Sequence, residues 1–242
     1  MSNFPPSDQL STPTPAKAGK WLAIETSGLF GSVAAGIVSP EACEPEACEI
    51  VADRPLPRDA RSARTLAPMI QSVLSELGWA PNDLAAVAIA VGPGSFTGLR
   101  VGVTTAKTLA WAAGAAAIGA DTLDALAMAA GPPQDAPGRL WTVLDAQRGE
   151  LFAASFNATG GAWERHKATR RTAAETLKAD LQPGDRVVGP PAATIGGEPL
   201  EPTAAAVLQV AWRRWLGGAA ESVFALAPQY HRLSAAEEKL VH

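Results

Sequence analysis

Leu84-Ala-Ala-Val-Ala-Ile-Ala-Val91, followed by Gly92-Pro-Gly-Ser-Phe-Thr-Gly-Leu-Arg100, is the stretch whose reading decides the fold class of this chain. The first eight residues are an unbroken run of small apolar side chains, as expected of a strand covered on both faces. The glycine-rich segment then turns, and Thr97 to Ala113 reads as a long helix stopped by Gly114. A buried strand that enters a helix through a tight turn is the unit of an α/β fold.

Upstream, Trp21 to Thr26 and Ser32 to Val38 are apolar runs separated by Gly28 and Gly31, which predicts a hairpin. Ile50 to Asp53 is a candidate third strand. Asp59 to Leu77 carries Leu66, Met69, Ile70, Val73, Leu74 and Leu77 at helical spacing and stops at Gly78. The sheet is therefore mixed. Between Pro40 and Glu49 the pentapeptide Pro-Glu-Ala-Cys-Glu occurs twice in tandem, too short for a solenoid repeat and read as a duplicated loop.

Downstream, Ala115 to Ile118 predicts another strand and Asp121 to Ala130 a helix capped by Asp121 or Thr122. Gly131 to Gly138, with three prolines, marks a loop. The second half repeats the theme more loosely, with strands at Leu140 to Asp145, Glu150 to Asn157, near Trp163 to Thr169 and at Arg186 to Val188, and helices at Thr172 to Leu181 and Pro202 to Leu216. This predicts two α/β halves, residues 20–120 and 121–233, between a proline-rich disordered tail at 1–19 and a short tail at 234–242.

The chain has 242 residues, 47% of them apolar, which is ample for a buried core. With 20 basic against 24 acidic side chains the net charge is −4, so it lacks the broad positive field that grips nucleic acid. Cys43 and Cys48 are the only cysteines, too few for a disulfide framework, and a reducing cytoplasm is expected. The weakly polar run Val101 to Ala120 is interrupted by Thr104, Thr105, Lys107 and Thr108, which argues against a membrane span.

Several kinds of chemistry can be weighed on residue spacing. The turn Gly92 to Arg100 would point backbone amides outward at a positive helix terminus, a plausible anion cradle. Its glycines fit neither the dinucleotide fingerprint nor a P-loop, so a plain strand-to-helix turn capped by Ser95 or Thr97 is the simpler reading. Ser95 lacks the flanking glycines of a nucleophile elbow, since Pro93 and Thr97 occupy those places. The three histidines, His166, His231 and His242, form no pair at metal-ligand spacing. Glu25-Thr26-Ser27-Gly28 closes the first strand; it suits magnesium phosphate or an ordinary hairpin turn. Glu25, Thr26, Gly94 and Ser95 are thus weak candidates for cofactor binding. Asp145, Arg148 and Glu150 form a charged turn, read as a solvated hairpin.

The segment Gly92 to Arg100, with Leu144-Asp-Ala-Gln-Arg-Gly-Glu150, resembles the TsaB family, formerly called YeaZ. Ala23-Ile-Glu-Thr-Ser27, Leu66-Ala-Pro-Met-Ile70, Gly119-Ala-Asp-Thr-Leu123 and Pro228-Gln-Tyr-His-Arg232 occur in the family's order, so the likeness runs from about Lys20 to Arg232. It implies the actin, sugar-kinase and Hsp70 (ASKHA) fold with two RNase H-like subdomains, the second reduced. It also implies a non-catalytic subunit that binds and activates TsaD, which transfers threonylcarbamoyl to adenosine 37 of tRNA, with the ATPase TsaE joining them. On that reading the chain has no cofactor of its own, ATP and magnesium enter only at the level of the complex, tRNA is met only indirectly, and peptidase activity is not expected. Two positions depart from the family: Glu25 stands where aspartate is usual, and Ser62 where many relatives have histidine.

The resemblance implies partner docking, to TsaD or to a second copy when the chain is isolated. Leu66, Met69, Ile70 and Val73 on the first helix and Gly102, Ala106 and Ala110 on the second are the residues proposed for that face, because small residues allow another helix to approach closely. The alternative is that both helices only pack on their own sheet. A stand-alone phosphotransferase of the same fold group is the rival function, with Gly189, Gly196 and Gly197 as the only phosphate-binding turn in the second half.

Overall fold

A computed structural model describes residues 18–39, 48–57, 62–133, 138–219 and 222–231. The tail expected at 1–19 up to residue 17, most of the duplicated loop with Cys43, the start of the first helix at 59–61, and the tail at 234–242 lie outside them.

The first sheet contains β1 (Gly19–Glu25), β2 (Ser32–Val38), β3 (Cys48–Pro55), β4 (Leu84–Gly92) and β5 (Ala116–Asp121) in the order β3-β2-β1-β4-β5. β1 to β3 form an antiparallel meander, while β4 and β5 run parallel to β1. β4 is the central buried strand its sequence predicted, with Ala86 to Ala90 wholly covered. One face of the sheet carries α1 (Ser62–Glu76) and α2 (Phe96–Ala113), with Leu66, Val73, Val103 and Ala106 in a shared core. Gly78 and Gly114, both with positive φ near 65°, end these helices in the left-handed conformation that glycine adopts without strain.

The opposite face carries α5 (Ala204–Leu216), whose Ala204, Leu208, Ala211 and Trp212 pack against Trp21, Ala86 and Ile118. Trp21, Trp212 and Trp215 form a cluster in which the last two stack at 4.6 Å. The division of the sequence at 120 assigned this helix to the second half. It packs on the first sheet because its apolar stripe is covered there, and its Thr203 cap leads in beside β2, where the Ala204 amide donates to Ser32 Oγ at 2.8 Å.

The second sheet contains β6 (Leu140–Gln147), β7 (Glu150–Thr159), β8 (Ala162–Ala173) and β9 (Arg186–Val188) in the order β8-β7-β6-β9. This is the order of the first four strands of the other sheet, with no strand in the place of β5 among the described residues. The chain therefore has the ASKHA architecture with a reduced second half. β8 extends to Ala173, beyond the predicted Thr169, and shortens the next helix, α4 (Ala174–Asp180). Its cross-strand pairing with β7 continues to Glu150↔Ala173, and the ladder outweighs the helix signal in Thr172 and Ala173.

α3 (Thr122–Ala129) lies between the sheets, sending Ala125 into the first and Leu123 and Leu126 into the second. Asp121 is its N-cap, accepting from the Leu123 amide at 2.7 Å. Arg165 of β8 reaches Asp121 and Asp124 at 2.8 Å and fastens the second sheet to this helix. Among the described residues no helix is long and apolar enough to cross a membrane.

Candidate functional site

β1 ends on Glu25, fully buried at 0% exposure. Its Oε1 accepts from the Ser27 amide at 2.6 Å and from the Ser27 hydroxyl, whereas its Oε2 is buried with no hydrogen-bond partner among the described residues. Burial is the largest influence on this carboxyl and lifts it to about 7. The Ser27 hydroxyl and the amides of Ser27 and Gly28 pull it down, and the Glu201 carboxylate pushes it further up.

The β4–α2 turn closes directly on this strand end. The Ser95 amide donates to the Ser27 carbonyl at 2.7 Å, the Ser95 hydroxyl accepts from the Gly98 amide at 3.2 Å, and Thr26 Oγ1 donates to the Gly98 carbonyl at 2.8 Å. Glycine is required by contact as much as by backbone conformation. A Cβ on Gly94 would lie 2.5 Å from the Ser27 carbonyl oxygen, one on Gly98 would overlap the Thr26 carbonyl oxygen, and one on Gly102 would overlap Thr26 Oγ1.

The structure thus brings Glu25, Thr26, Gly94 and Ser95 together, as their candidacy required. Their polar groups, however, serve one another. A magnesium–phosphate site needs ionised carboxylate and free oxygen ligands at near-octahedral geometry. Glu25 offers a desolvated carboxyl with one oxygen already holding Ser27, so these residues do not fit that group. Of the histidines among the described residues, His166 contacts Asn157 at 3.3 Å and His231 packs against Phe152 at 5.9 Å. Among the described residues no group of three or more His, Cys, Asp or Glu could hold a metal. In the hairpin at Asp145, Glu150 pairs with Arg171 at 3.2 Å across exposed surface. Gly189 and Gly197 pack against the backbone of Val143 and Val187, and Gly196 is a left-handed cap.

The docking residues read from the sequence need correction. Leu66, Ile70, Val73, Ala106 and Ala110 are at most 7% exposed, Gly102 is buried, and Met69 is only partly covered. The small residues of α2 allow close approach of its own strands, since Gly102 faces Thr26 and Ile89. An arginine at Ala106 would therefore break the core instead of testing a partner surface. The exposed faces are Ala63, Ala67, Pro68 and Gln71 on α1 and Arg100, Thr104, Thr108 and Trp111 on α2, with Trp111 48% exposed.

Two contributors were invisible to periodicity. The C-terminal segment comes back over the turn: the Gln229 amide donates to the Val91 carbonyl at 2.7 Å, and Tyr230 stacks on Phe96 at 4.7 Å, with the Arg100 guanidinium over the same ring. The only sequence signal was the Pro228-Gln-Tyr-His piece of the resemblance. Glu201, on the connector before α5, carried no signal.

Comparison with known proteins agrees with this architecture. The family model for TsaD, tRNA N6-adenosine threonylcarbamoyltransferase, matches residues 55–178, half of the chain. The tRNA threonylcarbamoyladenosine biosynthesis protein TsaB of Bacillus subtilis is 38% identical over 98 residues, covering 40% of this chain and 42% of that one. The Escherichia coli TsaB is 37% identical over 97 residues, with the same coverage. The matched stretch thus spans less than half the length of these relatives. The solved structure of YeaZ from Pseudomonas aeruginosa superposes with a TM-score of 0.70 at 22% identity, over 88% of this chain and 99% of that one. The chain belongs to the family that the TsaD model describes, and within that family it is similar to the TsaB (YeaZ) proteins.

Proposed function

We propose that this chain is a non-catalytic subunit in the formation of N6-threonylcarbamoyladenosine at position 37 of tRNA, where it binds and activates the TsaD transferase. The observation that carries this reading is the closure of the β4–α2 turn on Thr26 and Ser27, which commits Ser95, Gly98 and Thr26 of this candidate phosphate turn to seating α2. The names of the curated relatives supply the process.

In this reading catalysis belongs to TsaD, and the chain contributes surface. The outer face of α1 and α2, with Trp111 at its end, docks the partner, and the same face pairs two copies of the isolated chain. A half-exposed tryptophan among small side chains has the character of an interface anchor. TsaE and ATP with magnesium join at the level of the complex, tRNA is gripped by the partner, and the assembly works in the cytoplasm. No cofactor of its own and no peptidase activity are assigned to the chain.

The test is threonylcarbamoyl transfer from pre-made adenylate by TsaD of the same source, with and without this chain. Stimulation of about tenfold or more is expected, and full activity of TsaD alone would refute the proposal. Trp111→Glu should weaken the complex by about tenfold or more while leaving the thermal midpoint near that of the parent. Calorimetric titration with ATP and magnesium probes the phosphotransferase alternative, and tight binding by the isolated chain would favour it.

A further inference from the structure

The segment from Glu198 to Thr203 is a covalent crossing between the halves. At one end Glu198 is tied to β9, its amide donating to the Val187 carbonyl at 2.8 Å and its carboxylate holding Arg186 through two bonds of 3.0 Å. At the other end Thr203 caps α5 on the first sheet, and the Ala204 amide is held by Ser32 Oγ. Leu200 packs into the core of the second half.

Midway along this connector, Glu201 faces the end of β1. A Cβ on Gly28 would lie 3.5 Å from Glu201 Oε2 and 3.8 Å from Pro202 Cγ, so only a glycine hydrogen separates the turn from the connector. The Gly28 amide also lies against the Glu25 carboxylate, whose Oε2 has no partner among the described residues and no access to water. The charged group that acts on Glu25 is Glu201; the other groups against it, the Ser27 hydroxyl and the amides of Ser27 and Gly28, are neutral donors. Two carboxylates that act on each other beside a desolvated turn repel when both are ionised and coexist when one holds a proton.

We propose that Glu25 and Glu201 form a proton-operated latch on the connector between the two halves. With Glu25 protonated, the connector stays seated over Gly28 and the start of α5 stays tied to Ser32. Loss of that proton leaves a buried charge on the side of a second one, and the half-buried Glu201 moves toward water, carrying Pro202 and Thr203 with it. The latch is independent of whether the chain serves TsaD, because it concerns only contacts within the chain.

Amide hydrogen exchange on the whole chain, corrected for the intrinsic pH dependence of exchange, tests it. In the parent, protection of the Ala204 amide should fall by about tenfold or more between about pH 6 and pH 8, while central β4 amides keep theirs. Glu25→Gln and Glu201→Gln should each abolish that fall. Protection independent of pH in the parent would overturn the proposal, as would an unchanged fall in the variants. Should Glu25→Gln fail to fold, Glu201→Gln, which alters a partly exposed side chain, decides alone.

Discussion

The two halves end their opening strands in the same local device. In the first, the Glu25 carboxylate accepts from the amide two residues on, Ser27, at 2.6 Å; in the second, the Asp145 carboxylate accepts from Gln147 at 2.7 Å. Glu25 is sealed and Asp145 is exposed. The difference lies in the segment that leaves the fourth strand of each sheet. Gly92-Pro-Gly launches the 18-residue α2, whose first turn closes on Thr26 and Ser27, and the connector to α5 lies over Gly28. Gly189-Pro-Pro launches only a four-residue 3-10 turn, Ala192–Ile195, which stops at Gly196. A carboxylate acquires unusual chemistry from the elements packed over it, not from its own hydrogen bond.

The comparison can be broken most forcefully at the lid of the first half. Gly98→Ala places a methyl group against the Thr26 carbonyl and should destabilise the fold by roughly 3 kcal/mol or more in urea unfolding. Gly196→Ala, in open space with φ 83°, should lose only about 1 kcal/mol from backbone strain. Equal losses would mean that the close approach of α2 to β1 contributes nothing.

The next effect is electrostatic. Glu25 has a folded value of about 7 against an ordinary 4.5, so the folded state binds more protons between these limits. Its contribution to stability is full below about pH 4.5 and is lost as the pH rises through 7. Glu25→Gln should remove that decline and stabilise the chain at alkaline pH by on the order of 2 kcal/mol, whereas Asp145→Asn, on exposed surface, should change stability by only about 0.5 kcal/mol or less. A parent whose midpoint is flat from pH 5 to about 8 would contradict the burial argument. Smaller again is Thr26→Val, which removes the bond to the Gly98 carbonyl and should cost about 1 kcal/mol in the same assay.

Much of the fold was legible because its signals are local. The apolar run of β4, the glycine stops at Gly78 and Gly114 and the capping aspartate at 121 each act within a few residues of themselves. The residues proposed for docking are mostly buried for a related reason. Periodicity identifies the apolar stripe of a helix, and in α1 and α2 that stripe was needed by the sheet, leaving residues such as Thr104 and Trp111, which carry no periodic signal, exposed on the outer face.

By itself, then, the sequence determined the order of strands and helices, the tight turn at Gly92 to Gly98 and the doubled α/β plan. Hydrophobic spacing and glycine conformation are properties of neighbouring residues. Only the tertiary structure decided that α5 returns to the first sheet, that Tyr230 covers Phe96, and that Glu25 is sealed from water with Glu201 of the connector beside Gly28. Burial and like-charge proximity are set by elements far apart in the chain, over 170 residues in the case of Glu25 and its connector, and no local pattern encodes such a distance.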